Sequence, residues 1–167
     1  MRPAMIFRTL AMLVFATTCT ARATVDDAQS YALEAAEPWV KQGVEIRYDY
    51  ARGTTFSGRP VKVSYQVFKG TRYWFFAGGS EDGVHLDIAV RDDADKPIAG
   101  TTSHGTNNAT FSFTAPRTML VSIEVTGVIK PAQAFGWALV YGFQGKSATT
   151  PPPSPPPPLP PPPAKPE

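Results

Sequence analysis

The sequence contains few of the residues from which catalytic and metal sites are most often built. It has a single cysteine, Cys19, and only two histidines, His85 and His104, in 167 residues. Zinc sites use three or four histidine or cysteine ligands, so this supply is too small for one. Acyl-transfer enzymes need a base beside a nucleophile. His85 falls on the polar side of its predicted strand and His104 in a predicted loop, so we expect no enzyme activity.

Long apolar runs are also missing, apart from one near the start. Residues 10–16 form a short apolar stretch, Arg2 and Arg8 precede it, and the small residues Ala21 and Ala23 follow. This order is typical of a cleaved secretory signal, and the stretch is too short to span a bilayer. We therefore predict a signal peptide over residues 1–23, export to the periplasm, the cell surface or the medium, and no stable membrane insertion.

The chain has no large excess of charge of either sign. Its 16 basic and 14 acidic residues give a net charge of +2, and removal of Arg2, Arg8 and Arg22 with the signal leaves −1. Nucleic-acid binding generally requires a basic stripe, so we expect no nucleic-acid partner. Because Cys19 lies within the predicted signal, we expect the exported part to have no disulfide and to depend on its hydrophobic core.

Proline is sparse in the middle of the chain and concentrated near its end. Residues 149–167 contain 12 of the 18 prolines. Proline fixes φ and donates no backbone hydrogen bond, so residues 147–167 are predicted to be an extended proline-rich tail. Two interpretations of this tail stay open. It is either a stiff spacer or a recognition motif that contacts an envelope protein through a proline-binding groove.

Between these two ends the hydrophobic pattern changes from helical to alternating. Residues 24–43 predict a short helix, with Asp26 and Asp27 at its start and Pro38 expected to end or kink it. Residues 44–146 contain about eight short alternating segments separated by turn residues. Such spacing, with no room for crossover helices, predicts an all-β fold, an antiparallel jelly-roll-like β-sandwich.

The best-patterned part of the domain is the stretch 61–92, which predicts three successive strands around which one sheet is built. In its last strand, Leu86 and Ile88 alternate with His85 and Asp87. Strict alternation of this kind marks a strand with one buried and one solvated face. We therefore expect Leu86 and Ile88 in the core and His85 at the surface.

Four consecutive aromatic residues occupy positions 73–76. Neighbouring residues of a strand point to opposite faces, so both faces of this strand carry aromatic rings. The strand is either central, with the core on one face and the helix, through Trp39, on the other, or it presents an exposed aromatic platform. In the second case Tyr73 and Trp74 are the candidate binding residues, and the partner is a protein or a polysaccharide.

Carboxylates are the only other candidate metal ligands. Calcium prefers several carboxylate and carbonyl oxygens, and the candidates are Asp82, Asp92, Asp93 and Asp95. The segment 93–97 begins like a calcium-binding loop but lacks its glycine and its distal glutamate. Aspartates in turns also cap the turn with their own side chains. Calcium is therefore kept as a possible ligand, and no other cofactor is expected.

Four segments share a pattern of aromatic and leucine-aspartate strands. They begin at Phe68 (FKGTRYWFF), His85 (HLDIAVRDD), Phe111 (FSFTAP) and Met119 (MLVSIEV). Together they resemble the bacterial pre-peptidase C-terminal domain over roughly residues 61–143. The resemblance implies a jelly-roll-like β-sandwich of the kind attached to secreted enzymes, some of which bind calcium or polymeric substrates. The catalytic domain of such enzymes does not accompany the module in this sequence.

Two functions of different classes remain after these exclusions. The first is a non-catalytic exported module that binds a partner or polymer and is held off a surface by its tail. The second is a structural or interaction protein that is located by its polyproline tail. A more distant alternative is an accessory domain of a secreted hydrolase.

Overall fold

The computed structural model describes residues 24–145, which form one helix and nine strands. The predicted signal peptide and the proline-rich tail lie outside the described residues. The elements are α1 (Val25–Val40), β1 (Glu45–Ile46), β2 (Ala51–Phe56), β3 (Val61–Val67), β4 (Arg72–Gly79), β5 (His85–Arg91), β6 (Thr101–Gly105), β7 (Asn108–Thr114), β8 (Met119–Val128) and β9 (Ala134–Gln144).

The strands form two antiparallel sheets that pack face to face. The larger sheet has the order β1-β9-β4-β7-β6, and β2 pairs with β9 beyond the end of β1. The smaller sheet has the order β3-β8-β5. Between the sheets lies a core to which six of the nine strands contribute large side chains, among them Phe75, Phe111, Val121, Ile123 and Leu139. The prediction of an antiparallel β-sandwich with one N-terminal helix is confirmed.

The three strands within 61–92 do not build one sheet, in contrast to the prediction. β3 and β5 flank β8 in the smaller sheet, whereas β4 is central in the larger one. The reason lies in their side chains. β4 is apolar on both faces, and only the larger sheet is covered on both sides, by the core and by α1. The alternating β5 suits the smaller sheet, whose outer face is solvated.

The face assignment along β5 is confirmed. Leu86 and Ile88 are buried, whereas His85 and Asp87 are exposed. The strand pairs with β8 in a single register from His85 to Arg91. A shift by one residue would exchange the two faces, so the apolar alternation fixes this register.

Helix α1 continues through Pro38 and ends at Val40, so the predicted end of the helix before this proline does not occur. The hydrogen bond that Pro38 cannot donate would have gone to the carbonyl of Glu34, which lies on the exposed side of the helix and is accessible to water. Trp39 packs on Trp74 of β4, with ring centroids 5.6 Å apart. This contact holds the last turn against the sheet.

Two strands differ from the sequence pattern. The alternating segment after Val44 forms a strand only over Glu45–Ile46, and the chain pairs with β9 again over Ala51–Phe56, which was not predicted. Strand β6 includes His104, so the prediction that this histidine lies in a loop is wrong. Both β2 and β6 are edge strands with much exposed surface. Their faces therefore carry no apolar alternation that a sequence could show.

The helix lies very close to the larger sheet because small residues face each other. Ala28, Ala32 and Ala36 are the buried residues of α1. Opposite them is Gly78 of β4, where an added Cβ would stand 2.6 Å from the backbone nitrogen of Ala32 and overlap the carbonyl oxygen of Ala28. This close approach buries Trp74 and Phe76, on the outer face of β4, beneath α1.

Candidate functional site

A cleft of about 250 Å³ opens at the corner of the sandwich where the end of β3, the start of β4 and the end of β9 meet. We call it the corner cleft. Tyr73 and Phe143 are direct partners in the β4–β9 ladder, and Tyr141 is two residues from Phe143 on the same face of β9. The residues that line the cleft are Arg47, Gln66, Phe68, Thr71, Tyr73, Tyr141, Phe143 and Gly145.

The floor of the corner cleft is a chain of packed aromatic rings that continues into the core. Tyr141 lies against Tyr65 of the smaller sheet, with centroids 4.5 Å apart, and within 6.2 Å of Phe75. Tyr73 lies 6.3 Å from Phe143. Because each ring is held by others, the floor loses little side-chain entropy when something binds to it.

Polar groups ring this aromatic floor. The hydroxyl of Tyr73 accepts a hydrogen bond of 3.0 Å from the backbone N–H of Phe68, and the hydroxyl of Tyr141 donates one of 3.2 Å to Asp49. The guanidinium of Arg47 lies 6.0 Å from the centre of the Phe143 ring and 3.9 Å from Asp49. The cleft thus combines an apolar base with a cation and a carboxylate at its rim.

Both tyrosines at the sheet-to-sheet contact keep their protons at neutral pH. Burial, with smaller contributions from Tyr141 and Asp49, raises the pKa of Tyr65 to about 12. Burial and the nearby Asp49 also raise the pKa of Tyr141. A phenol with a raised pKa is a hydrogen-bond donor and not a general base, so the geometry favours binding over proton transfer.

Two aromatic side chains at the surface extend the site beyond the cleft. Phe68, at the rim, is 55% exposed, and Tyr48, in a shallow depression next to Arg47, is 92% exposed. Exposed phenylalanine and tyrosine beside arginine are the residues that most often anchor a protein partner. The sequence contained one signal for this surface, a phenylalanine placed directly before the Lys69-Gly70 turn.

Tyr73 and Trp74, the predicted binding residues, are both buried, with 4% and 2% of their surface exposed. They do not form an exposed platform, because β4 is covered on both faces. Tyr73 faces the sandwich and reaches the corner cleft, whereas Trp74 faces α1 and has the Arg72 guanidinium 4.7 Å from its ring. Within residues 24–145 the indole nitrogen of Trp74 has no hydrogen-bond partner. A role of either residue in binding stays a prediction.

Three of the four calcium candidates share the β5–β6 loop, where hydrogen bonds and an arginine engage two of them. Asp92 accepts hydrogen bonds of 2.9 Å from the backbone N–H groups of Ala94 and Lys96, which makes it a turn cap. Arg117 forms two hydrogen bonds with Asp93 and thereby lowers the pKa of that carboxyl. Asp82 lies in the β4–β5 loop, whereas Asp95 shares the β5–β6 loop with Asp92. In residues 24–145 no three histidine, cysteine or acidic side chains are placed to hold one metal ion.

The histidines lie far from the corner cleft, at the opposite edge of the sheets. Nδ1 of His104 on β6 is 2.9 Å from the carbonyl oxygen of Leu86 on β5, and its Nε2 is 3.7 Å from Asp87. His104 therefore bridges the larger and the smaller sheet. His85 points to solvent.

A second cleft, of about 570 Å³, lies at the start of α1 and beside the β4–β5 and β8–β9 loops. It is open and mostly polar, with Asp27, Glu81 and Asp82 among its lining residues. Asp27 caps the helix by accepting from the backbone N–H of Thr24, and the Ser80 hydroxyl accepts from the N–H of Gly136 at 2.8 Å. These groups hold the fold together at this end of the sandwich.

Comparison with known proteins leaves the family open. No protein-family model and no curated protein matches the chain. One solved structure with similarity is that of Aeromonas hydrophila PliG, described as a periplasmic lysozyme inhibitor of g-type lysozyme, with 11% identity over 62% of this chain and 90% of that chain and a TM-score of 0.43. At this level the likeness carries no argument about function. Among residues 24–145, no helix is long and apolar enough to cross a membrane.

Proposed function

We propose that this protein is an exported, non-catalytic binding module that engages a protein partner through the corner cleft. The observation that carries the proposal is the union of a rigid aromatic floor with an exposed rim of Phe68 and Arg47. The predicted signal over residues 1–23 supports export. The resemblance to pre-peptidase C-terminal domains is consistent with an exported module and remains part of the proposal.

The arrangement of the rings favours a protein over a polysaccharide. Tyr65 and Tyr141 are tilted by 48° to each other, and so are Tyr73 and Phe143. A flat sugar ring stacks best on rings that share a plane and face outward, whereas these rings form a recess with a polar rim. A protruding side chain or loop of a protein fits such a recess better, with Arg47 at the rim available for its polar atoms.

Two exposed phenylalanines allow a matched test. Phe68 lies on the rim of the corner cleft, and Phe56, which is 45% exposed, ends β2 opposite Ala134, at the other end of β9. Immobilised full chain, Phe68→Ser and Phe56→Ser are compared for capture of proteins from an envelope extract of the native host. We expect Phe68→Ser to weaken capture about tenfold or more, as loss of a central anchor does. Phe56→Ser should bind like the unaltered chain.

Treatment of the same extract with protease distinguishes the partner classes. A protein partner is lost after digestion, whereas a polysaccharide survives it. Equal capture by Phe68→Ser and Phe56→Ser would contradict a role of the corner cleft, and it would favour the alternative of a structural protein located by its tail.

A further inference from the structure

The described part of the chain ends at the corner cleft. Gly145, the last described residue, is one of the residues that line it. The sequence continues from there through residues 146–150 into the proline run 151–163, which Ser154 and Leu159 interrupt. The proline run therefore starts only a few residues along the chain from an aromatic recess.

The chemistry of the recess matches that of a polyproline helix. Proline offers a ring and a carbonyl acceptor but no backbone N–H. Its usual receptors are grooves lined by aromatic side chains, with donors for the carbonyl groups. The corner cleft has the rings of Phe68, Tyr141 and Phe143, and Arg47 and Gln66 as N–H donors at its edge. Its one nearby carboxylate, Asp49, is already engaged by Tyr141.

The length of the connection restricts which surface the prolines reach first. Residues 146–150 span at most about 18 Å when fully extended. Strand β9 alone, with its 11 residues, is about 37 Å long. The second cleft, which includes Gln133 just before the start of β9, is therefore out of reach of the first prolines. A short tether also gives an effective concentration on the order of millimolar, at which even a weak contact is occupied.

We propose that the proline run 151–163 docks in the corner cleft of its own chain. Insofar as the cleft is the partner site of the proposed function, the tail then acts as a built-in competitor that a partner must displace. Binding of an outside protein becomes weaker by the free energy of tail docking. The released tail is free for a second contact only while a partner occupies the cleft.

Paramagnetic broadening in the full chain tests this contact. With Cys19→Ser and Ser154→Cys, a nitroxide is attached at position 154 alone, and amide signals are compared before and after reduction of the label. We expect selective loss of intensity for residues 66–68 and 141–145, and none for β6 at the far edge of the larger sheet. The loss should disappear with Phe68→Ser and persist with Phe56→Ser.

A mixed sample separates the possible occupants. Nitrogen-15 chains without the label are combined with labelled chains of natural isotope content. Broadening of the cleft signals in this mixture would mean that the tail of a second copy binds, and it would overturn docking within one chain. Uniform broadening, or none, would overturn it as well.

The capture experiment responds independently of the broadening. If position 154 leaves the cleft signals unchanged while Phe68→Ser still loses the partner, the proposed function holds and tail docking is wrong. If the cleft signals broaden while capture ignores Phe68→Ser, tail docking holds and the proposed function is wrong. With both intact, replacement of the prolines in 151–163 by serine should raise capture severalfold.

Discussion

Leu86 and His85 are neighbours on β5 and have opposite surroundings. Leu86 points into the core toward Gly127 of β8, where an added Cβ would lie 3.0 Å from a Leu86 methyl group. His85 points to solvent from the same strand. The core around Leu86 has no space for a larger side chain. If atoms of Leu86 are removed, its neighbours find no other group to pack against.

We expect Leu86→Ala to lower the free energy of unfolding by about 2–5 kcal/mol, because a cavity remains where the side chain was. His85→Ala, the matched control, should change it by about 0.5 kcal/mol or less. Urea denaturation of both variants at pH 7 measures the difference. The reverse order would mean that β5 is paired in another register.

At the scale of elements, the contact between α1 and β4 depends on a position without a side chain. Any Cβ at Gly78 meets backbone atoms of Ala28 and Ala32, which cannot rotate away as a side chain could. We expect Gly78→Ala to lift the helix from the sheet and to cost about 1–3 kcal/mol or more. Thermal melts and the near-ultraviolet signal of Trp39 and Trp74 report the change.

Gly145→Ala is the control for this experiment. An added Cβ at Gly145 meets nothing within 4 Å. This variant should melt like the unaltered chain. If Gly78→Ala melted at the same temperature, the close packing of α1 on β4 would be incorrect.

The elements that the sequence predicted well are those whose buried residues recur at a regular spacing along the chain. The alternation around Leu86 located β5 and its faces, and the rings at 73–76 placed aromatic side chains on both faces of β4 but left open whether its outer face is covered or exposed. β2 was missed because ARGTTF has a partner, β9, but no apolar face. Hydrogen bonding along a sheet edge leaves no periodic trace in composition.

The corner cleft was beyond sequence reasoning for a different reason. Phe68, Tyr141 and Phe143 are each unremarkable strand-end aromatics. They become a site because β9 lies beside β4, and local pattern does not specify which strands pair across such distances. The proline-rich tail, by contrast, is predicted from a local property, the run of prolines, and it lies outside the described residues.

At the scale of the whole molecule, side chains join the two sheets in two places. His104 links β6 to β5 on one side. On the other side, Tyr65 of the smaller sheet packs on Tyr141 of the larger one. The second junction contains two phenols whose pKa values are raised. Its stability is therefore expected to decrease when the pH becomes alkaline.

A phenol with a higher pKa in the fold than in the unfolded chain keeps its proton in the fold longer. The stabilisation from Tyr65 is therefore complete below pH about 10 and is lost as the pH rises from about 10 to 12, where the folded group titrates. Tyr141 acts in the same direction. We expect the urea concentration at the unfolding midpoint to decrease as the pH rises from about 10 to about 12, and Tyr65→Phe to make this decrease smaller.

Tyr65→Phe and the unaltered chain are also compared at pH 8, which serves as the reference. At that pH both proteins are protonated at this junction, so any difference reflects the lost hydroxyl alone. An identical decline in both proteins between pH about 10 and about 12 would show that Tyr65 does not cause it.

The last described strand in sequence, β9, lies inside the larger sheet, with β4 on one side and β1 and β2 on the other. Its partner strands all come much earlier in the sequence, as the pairing of Ala51 with Leu139 shows. A nascent chain that lacks residues 134–144 therefore has no strand that joins β1 and β2 to β4. In the full chain the larger sheet forms slowly and late, because strands far apart in the sequence must first come together. A stop codon before residue 134 would leave no folded remnant, only a chain open to proteolysis.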